Sequence, residues 1–149
     1  MKLTQQADYG LRILIYLGLR PEERVKMGDI ATAYAISHSH LTKVVPKLVN
    51  LGYVHSQQGR GGGLSLAKAP QEISIGEVVR ALEPDFELVE CFNREENTCP
   101  LVPHCRLMGI FGEAKAAFLK VLGRHTLAEV LGAGVPLRRA LGIELEALS

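Results

Sequence analysis

The run Gly59-Arg60-Gly61-Gly62-Gly63 most limits what this chain can fold into. Glycine tolerates the tight, left-handed backbone of a hairpin tip, and four around one arginine leave a thin, cationic end. Tyr53–Gln57 precedes the run and Leu64–Ala67 follows it, both with the composition of short strands. The segment therefore reads as a β-hairpin.

What precedes the hairpin is helical. Leu3, Ala7, Leu11, Leu14 and Leu17 recur at three- and four-residue steps and predict a helix over 4–20, stopped by Pro21. Ile30, Ala31 and Tyr34 suit a shorter helix over 27–34. Tyr34–Ser37 reads as a turn, and Ser37 as the N-cap of a third helix through Leu51, with Leu41, Val44, Val45, Leu48 and Leu51 on its apolar face. Helix, helix, turn, helix, hairpin is the order of a winged helix-turn-helix, whose third helix enters the major groove of DNA.

The charge distribution agrees. Residues 1–63 hold eight Lys or Arg against four Asp or Glu, whereas residues 71–97 hold two against eight. A basic front half suits a polyanion. The candidate DNA contacts are Ser37, His38, Ser39, His40, Thr42 and Lys43 at the base-reading end of the third helix, and Lys47 one turn on for a phosphate. Arg60 is the cation at the wing tip, suited to a narrow minor groove. A phosphate cradle for a nucleotide is a poor reading of the glycines, because the context is strand–turn–strand and no Lys-Ser or Lys-Thr follows. Pro46 falls inside the third helix, where either a kink or a helix sustained by packing of Leu41, Val45 and Leu48 is expected.

Beyond the hairpin, Ser74-Ile75-Gly76-Glu77 has the form of a capping box opening a helix to about Glu83. The longest helix is predicted from Pro103 to Leu122, with Leu107, Ile110, Phe111, Ala114, Ala117, Phe118, Val121 and Leu122 in one apolar stripe. That stripe is more than one small domain can cover, which predicts pairing with a twin helix in a homodimer. Thr126–Glu129 reads as a second capping box, and Gly134-Val135-Pro136 as a hinge into a tail.

The three cysteines all lie within 15 residues, as Cys91, Cys99 and Cys105. An odd, clustered set does not suit a disulfide framework. Met1–Thr4 lacks the apolar stretch of a secretory signal, and no run is long enough to span a membrane, so the cytoplasm is expected. The thiols then read as metal or cluster ligands. Structural zinc usually shows a tighter cysteine pair than these gaps provide, which favours a bulkier iron–sulfur cluster while leaving zinc open. A cluster normally takes four protein ligands; His104, His125, a carboxylate or a group from another subunit could complete the set. No nucleophile–base pair or paired carboxylates point to an enzyme.

Several stretches together resemble one family. They are Met1-x-Leu-Thr-x-x-x-Asp8-Tyr-x-Leu-Arg12, Ser37-His-Ser-His-Leu-Thr-Lys43, Gly59-Arg-Gly-Gly-Gly-Leu-x-Leu66, Ile75-Gly-Glu-Val-Val-Arg-Ala-Leu-Glu-Pro84 and Cys105-Arg-Leu107. These resemble the bacterial winged-helix iron–sulfur repressors of the IscR/NsrR type, from Met1 to about Leu131. Within the family the likeness is to the nitric-oxide-sensitive branch. The IscR branch carries a histidine ligand three residues after its last cysteine, and Met108 stands there in this chain.

The resemblance implies a transcriptional repressor that binds operator DNA as a homodimer and is released when nitric oxide nitrosylates its cluster. It implies a [4Fe–4S] cluster held by Cys91, Cys99, Cys105 and Asp8 from the partner subunit, with a [2Fe–2S] redox or cluster-supply regulator as the alternative. Without the resemblance, Asp8 reads as a helix ion pair with Arg12, four residues on. The expected architecture is mainly α with a small β-hairpin, a winged helix-turn-helix plus a long dimerisation helix. Its parts are a DNA-binding domain over 1–83, a cluster loop over 84–105, the dimerisation helix with a short C-terminal helix over 106–131, and a loosely ordered tail over 132–149.

Overall fold

A computed structural model describes residues 2–102 and 104–144. Its helices are α1 (Gln5–Gly18), α2 (Met27–Tyr34), α3 (His38–Asn50), α4 (Ile75–Leu82), α5 (Arg106–Gly123), α6 (Leu127–Leu131) and α7 (Val135–Ala140). Strands β1 (Val54–Gln57) and β2 (Gly63–Leu66) pair antiparallel, with Val54 opposite Leu66 and Gln57 opposite Gly63. The fold is mainly α with one hairpin, as expected.

Helix α1 is the centre. Thr4 caps it by accepting the Ala7 N–H at 3.3 Å. Ala7, Ile13, Leu14 and Leu17 are essentially inaccessible and meet Leu41 and Leu48 of α3, Val78, Val79 and Leu82 of α4, and Leu127 of α6 in one core. Gly10 lets α4 come close, since a Cβ there would stand 2.3 Å from Leu82 Cδ1.

The turn between α2 and α3 places Ala35 in the left-handed region, at φ 51°. That conformation costs a non-glycine residue roughly 1 kcal/mol or more, and the Ile36 N–H bonded to Ala31 O at 3.0 Å helps to hold it. Ser37 then caps α3, as expected. The helix runs through Pro46 without a break, and Pro46 is exposed. A proline cannot donate to the carbonyl of Thr42, one turn back and also exposed, and the buried Leu41, Val44, Val45 and Leu48 carry the helix past it.

The hairpin has an anchor that no sequence pattern suggested. Val25 and Leu64 exchange backbone hydrogen bonds of 2.9 and 2.8 Å, which ties the base of the wing to the segment before α2. Gly63, at φ 154°, packs against that segment, and a Cβ would stand 2.8 Å from Val25 O. At Gly62 a Cβ would meet Gln57 O at 2.2 Å. These glycines are required by close backbone approach.

Helix α5 begins at Arg106. Cys105 is still extended (φ −77°, ψ 111°), and the predicted start at Pro103 lies outside the described residues. Ser74 makes its half of the expected box, accepting the Glu77 N–H at 3.4 Å. At Thr126 both halves form. After Gly132 the chain forms α7, which Arg138 ties to the carbonyl of Leu19, and Ile143 packs into the core. Pro136 near a helix start is compatible with α7, where a missing N–H costs nothing. Residues 145–149 lie outside the described part of that tail.

Candidate nucleic-acid interface and metal centre

The periodicity of α3 divides it into two faces. Leu41, Val44, Val45 and Leu48 are buried against the core, while Ser37, His38, Ser39, His40, Thr42, Lys43 and Lys47 are all exposed. The seven sequence-predicted α3 residues therefore share the solvent side.

Their polar groups are partly ordered. Ser37 Oγ lies 2.9 Å from His40 Nδ1 and 3.1 Å from Ser39 Oγ. Thr42 Oγ1 donates to Ser39 O at 2.8 Å. The His40 ring packs at a tilt on Tyr9, with centroids 5.7 Å apart. A cleft of about 450 Å³ between α1 and α3 is lined by Gln5, Gln6, Tyr9, His40, Lys43 and Lys47, with Val44 at its floor. Gln5 and Gln6 add amide donors and acceptors beside α3. Their place in the first turn of α1 was the available signal, but nothing in their spacing distinguished them from ordinary surface residues. Arg60 is exposed at the tip of the wing.

Around Asp8 the arrangement is specific. Arg12 Nη2 lies 2.8 Å from Asp8 Oδ2, and Arg12 Nε donates to Asp8 Oδ1 at 3.3 Å. The same guanidinium lies 5.7 Å from the Tyr9 ring centroid and 5.8 Å from that of Tyr34. Burial pushes the Tyr34 phenol up to about 12, so it stays neutral. Asp8, Arg12, Tyr9 and Tyr34 line an open cleft of about 620 Å³ with Lys2 at its rim.

The three cysteines are free thiols, each partly accessible. Among the described residues, no three His, Cys, Asp or Glu side chains gather closely enough to hold a metal ion. A single chain thus presents the three thiols and Asp8 without assembling them. No described residue between 84 and 105 is buried. Hydrogen bonds shape that loop, and the ammonium of Lys115 on α5 lies 4.7 Å from the Phe92 ring centroid. His125, one sequence candidate for a fourth ligand, lies 3.3 Å from Glu129 instead.

The profile of the Rrf2 family, described as iron-dependent transcriptional regulators, matches residues 3–133. The chain belongs to the Rrf2 family. It is 51% identical over 132 residues to the HTH-type transcriptional regulator NsrR of Halalkalibacterium halodurans, covering 88% of this chain and 90% of the relative. It is 48% identical over 142 residues to the NsrR of Geobacillus kaustophilus, covering 95% and 97%. It is 47% identical to the NsrR of Bacillus subtilis (strain 168), covering 88% and 90%.

Among solved structures, CymR (YrzC), the global cysteine regulator of B. subtilis, superposes with a TM-score of 0.71 at 28% identity, covering 89% of this chain and 98% of that one. IscR of T. potens shares the fold, with a TM-score of 0.71 at 23% identity, covering 93% and 91%. This Rrf2 member is a DNA-binding transcriptional regulator with a winged-helix fold, and the family is not an enzyme class. Among its described residues no helix is long and apolar enough to cross a membrane.

Proposed function

We propose that this chain is a nitric-oxide-sensing repressor that binds operator DNA as a homodimer and lets go when an iron–sulfur cluster is nitrosylated. The observation that carries the reading is chemical. Three free, partly accessible thiols lie on one surface loop of a winged-helix regulator, and that loop has no core of its own. Soft thiolate donors suit iron–sulfur clusters and zinc.

Cys91, Cys99 and Cys105 hold the cluster, with Asp8 of the second protomer as the fourth donor. The charged residues lining the cleft beside Asp8 are Lys2, Arg12 and Asp8 itself, a balance of one positive charge. The loop over residues 84–105 carries five acidic residues and one arginine. Opposite charge favours the meeting of that loop with the partner's α1. A [4Fe–4S] cluster with one oxygen ligand supplies an iron that nitric oxide can reach.

The chain's own residues do the rest. The α5 helices pair across a two-fold axis, because none of the 18 residues of α5 is buried within one chain and Leu107, Ile110 and Val121 are 54, 61 and 51% exposed. The dimer carries two α3 helices about one DNA turn apart. Ser37, His38, Ser39, His40 and Thr42 meet base edges, Lys43 and Lys47 meet phosphates, and Arg60 enters the minor groove.

The test is a visible spectrum with iron and sulfide counts on protein purified without oxygen, before and after nitric oxide. Four irons per chain and bleaching by nitric oxide support the reading. Two irons per chain point to the [2Fe–2S] regulator, and one zinc with no visible colour to a DNA-binding module without a sensor; either result overturns it.

A further inference from the structure

Within the cysteine loop one carboxylate has a disproportionate share of the bonding. Glu90 Oε1 accepts both the backbone N–H and the side-chain hydroxyl of Thr98, each at 2.6 Å. These bonds close a ring of the chain from 90 to 98. Inside the ring, Asn93 Oδ1 accepts the N–H groups of Glu95 and Glu96 at 3.1 and 3.3 Å, and Asn93 O accepts the Asn97 N–H at 3.0 Å. Asn97 Oδ1 then accepts the Cys99 N–H at 3.1 Å. The residue after Glu90 is Cys91, and the residue after Thr98 is Cys99.

We propose that Glu90 is a positioning residue for the metal centre: by clasping Thr98 it holds the two chain segments that carry Cys91 and Cys99 in one fixed register. This rests on the assignment of those thiols as ligands. The benefit of the clasp is entropic. Two thiols separated by a flexible loop must be brought together at the cost of closing that loop. A clasp at the base meets that cost before any metal arrives. Apolar packing cannot do so, because no described residue of the loop is buried. Among the described residues, Asp85, Glu87, Glu95 and Glu96 in the same segment bond none on the far side of a cysteine, which singles out Glu90.

The experiment uses the full chain, reduced and metal-free, titrated with Co²⁺ alone and followed by thiolate-to-cobalt charge-transfer absorbance. Removing an outer partner of a metal ligand typically weakens metal binding about 10- to 100-fold. Glu90→Ala is expected to bind Co²⁺ at least about 10-fold more weakly than the unaltered chain. Thr98→Ala, which keeps the backbone donor, falls between them. Glu90→Gln keeps an accepting oxygen and restores the original affinity.

The thermal midpoint of each metal-free variant separates this effect from loss of fold, and Thr98→Ala serves if Glu90→Ala does not fold. Equal Co²⁺ affinity for Glu90→Ala and the unaltered chain overturns the proposal. So does a Glu90→Gln variant as weak as Glu90→Ala, because Glu90 then acts by charge or direct ligation. Failure of the functional reading looks different. There the unaltered chain takes up two irons or none, whereas the Co²⁺ comparison among variants still reports on the clasp.

Discussion

Arg12 grips Asp8 through both nitrogens that face it, Nη2 at 2.8 Å and Nε at 3.3 Å. Both side chains are close to half exposed, so the pair itself is worth only a few tenths of a kcal/mol. Each oxygen of the Asp8 carboxylate keeps a second lone pair, so Asp8 can accept from Arg12 and still face a metal. With the pair so weak, Asp8→Ala is expected to change the unfolding free energy of the metal-free protein, read from urea titration, by less than about 0.5 kcal/mol. The same change alters the visible spectrum of the iron-loaded protein and speeds loss of iron to a chelator. A spectrum and iron-loss rate identical to those of the unaltered protein would remove Asp8 from the ligand set.

The exposed face of α3 predicts two kinds of DNA defect. Lys47→Ala weakens binding to all sequences alike and lowers the salt slope of log K by about one. His40→Ala removes the hydrogen bond to Ser37 and the contact with Tyr9. It relaxes discrimination at one operator position, by about 1–3 kcal/mol for a lost base contact. Fluorescence anisotropy on operator variants at several salt concentrations separates the two.

Helix α5 predicts the oligomeric state. Ile110, 61% exposed in the single chain, lies on the stripe assigned to the two-fold contact. Ile110→Glu puts a charge on each side of that contact and shifts sedimentation velocity toward monomer, with weaker operator binding. An unaltered chain that sediments as a monomer with its cluster loaded contradicts the assignment.

Much of this was legible in the chain. Leu41, Val44, Val45 and Leu48 show a 3.6-residue period because one side of α3 faces the core, so its polar side could be named in advance. Thr126 and Glu129 form both halves of their box because the motif is local. The Val25–Leu64 exchange and the Glu90–Thr98 clasp join residues with no periodic relation, and no window of sequence contains their reason. Pro136, read with its flanking glycine as a hinge, lies in the first turn of α7. The fourth metal donor belongs to a second chain in this account, and one chain cannot display it.

The cap of α6 predicts a pH dependence. The Thr126 N–H donates to Glu129 at 2.8 Å and, with a smaller part from His125, holds the Glu129 carboxyl below its ordinary value against slight desolvation. A lowered folded value means stability that is present above the ordinary carboxylate range and lost as pH falls through the folded one. Thermal midpoints should show Glu129→Gln losing more near about pH 6 than at an acid pH low enough to protonate the native carboxyl as well. The same deficit at both values contradicts this.

The central claim is that cluster chemistry governs the hold on DNA. Its most direct test is an anaerobic titration of the cluster-loaded protein on operator DNA with rising nitric oxide. Operator affinity should fall in step with bleaching of the cluster, and the Cys99→Ala protein should bind weakly with no response. Affinity that stays constant while the cluster bleaches would contradict the account.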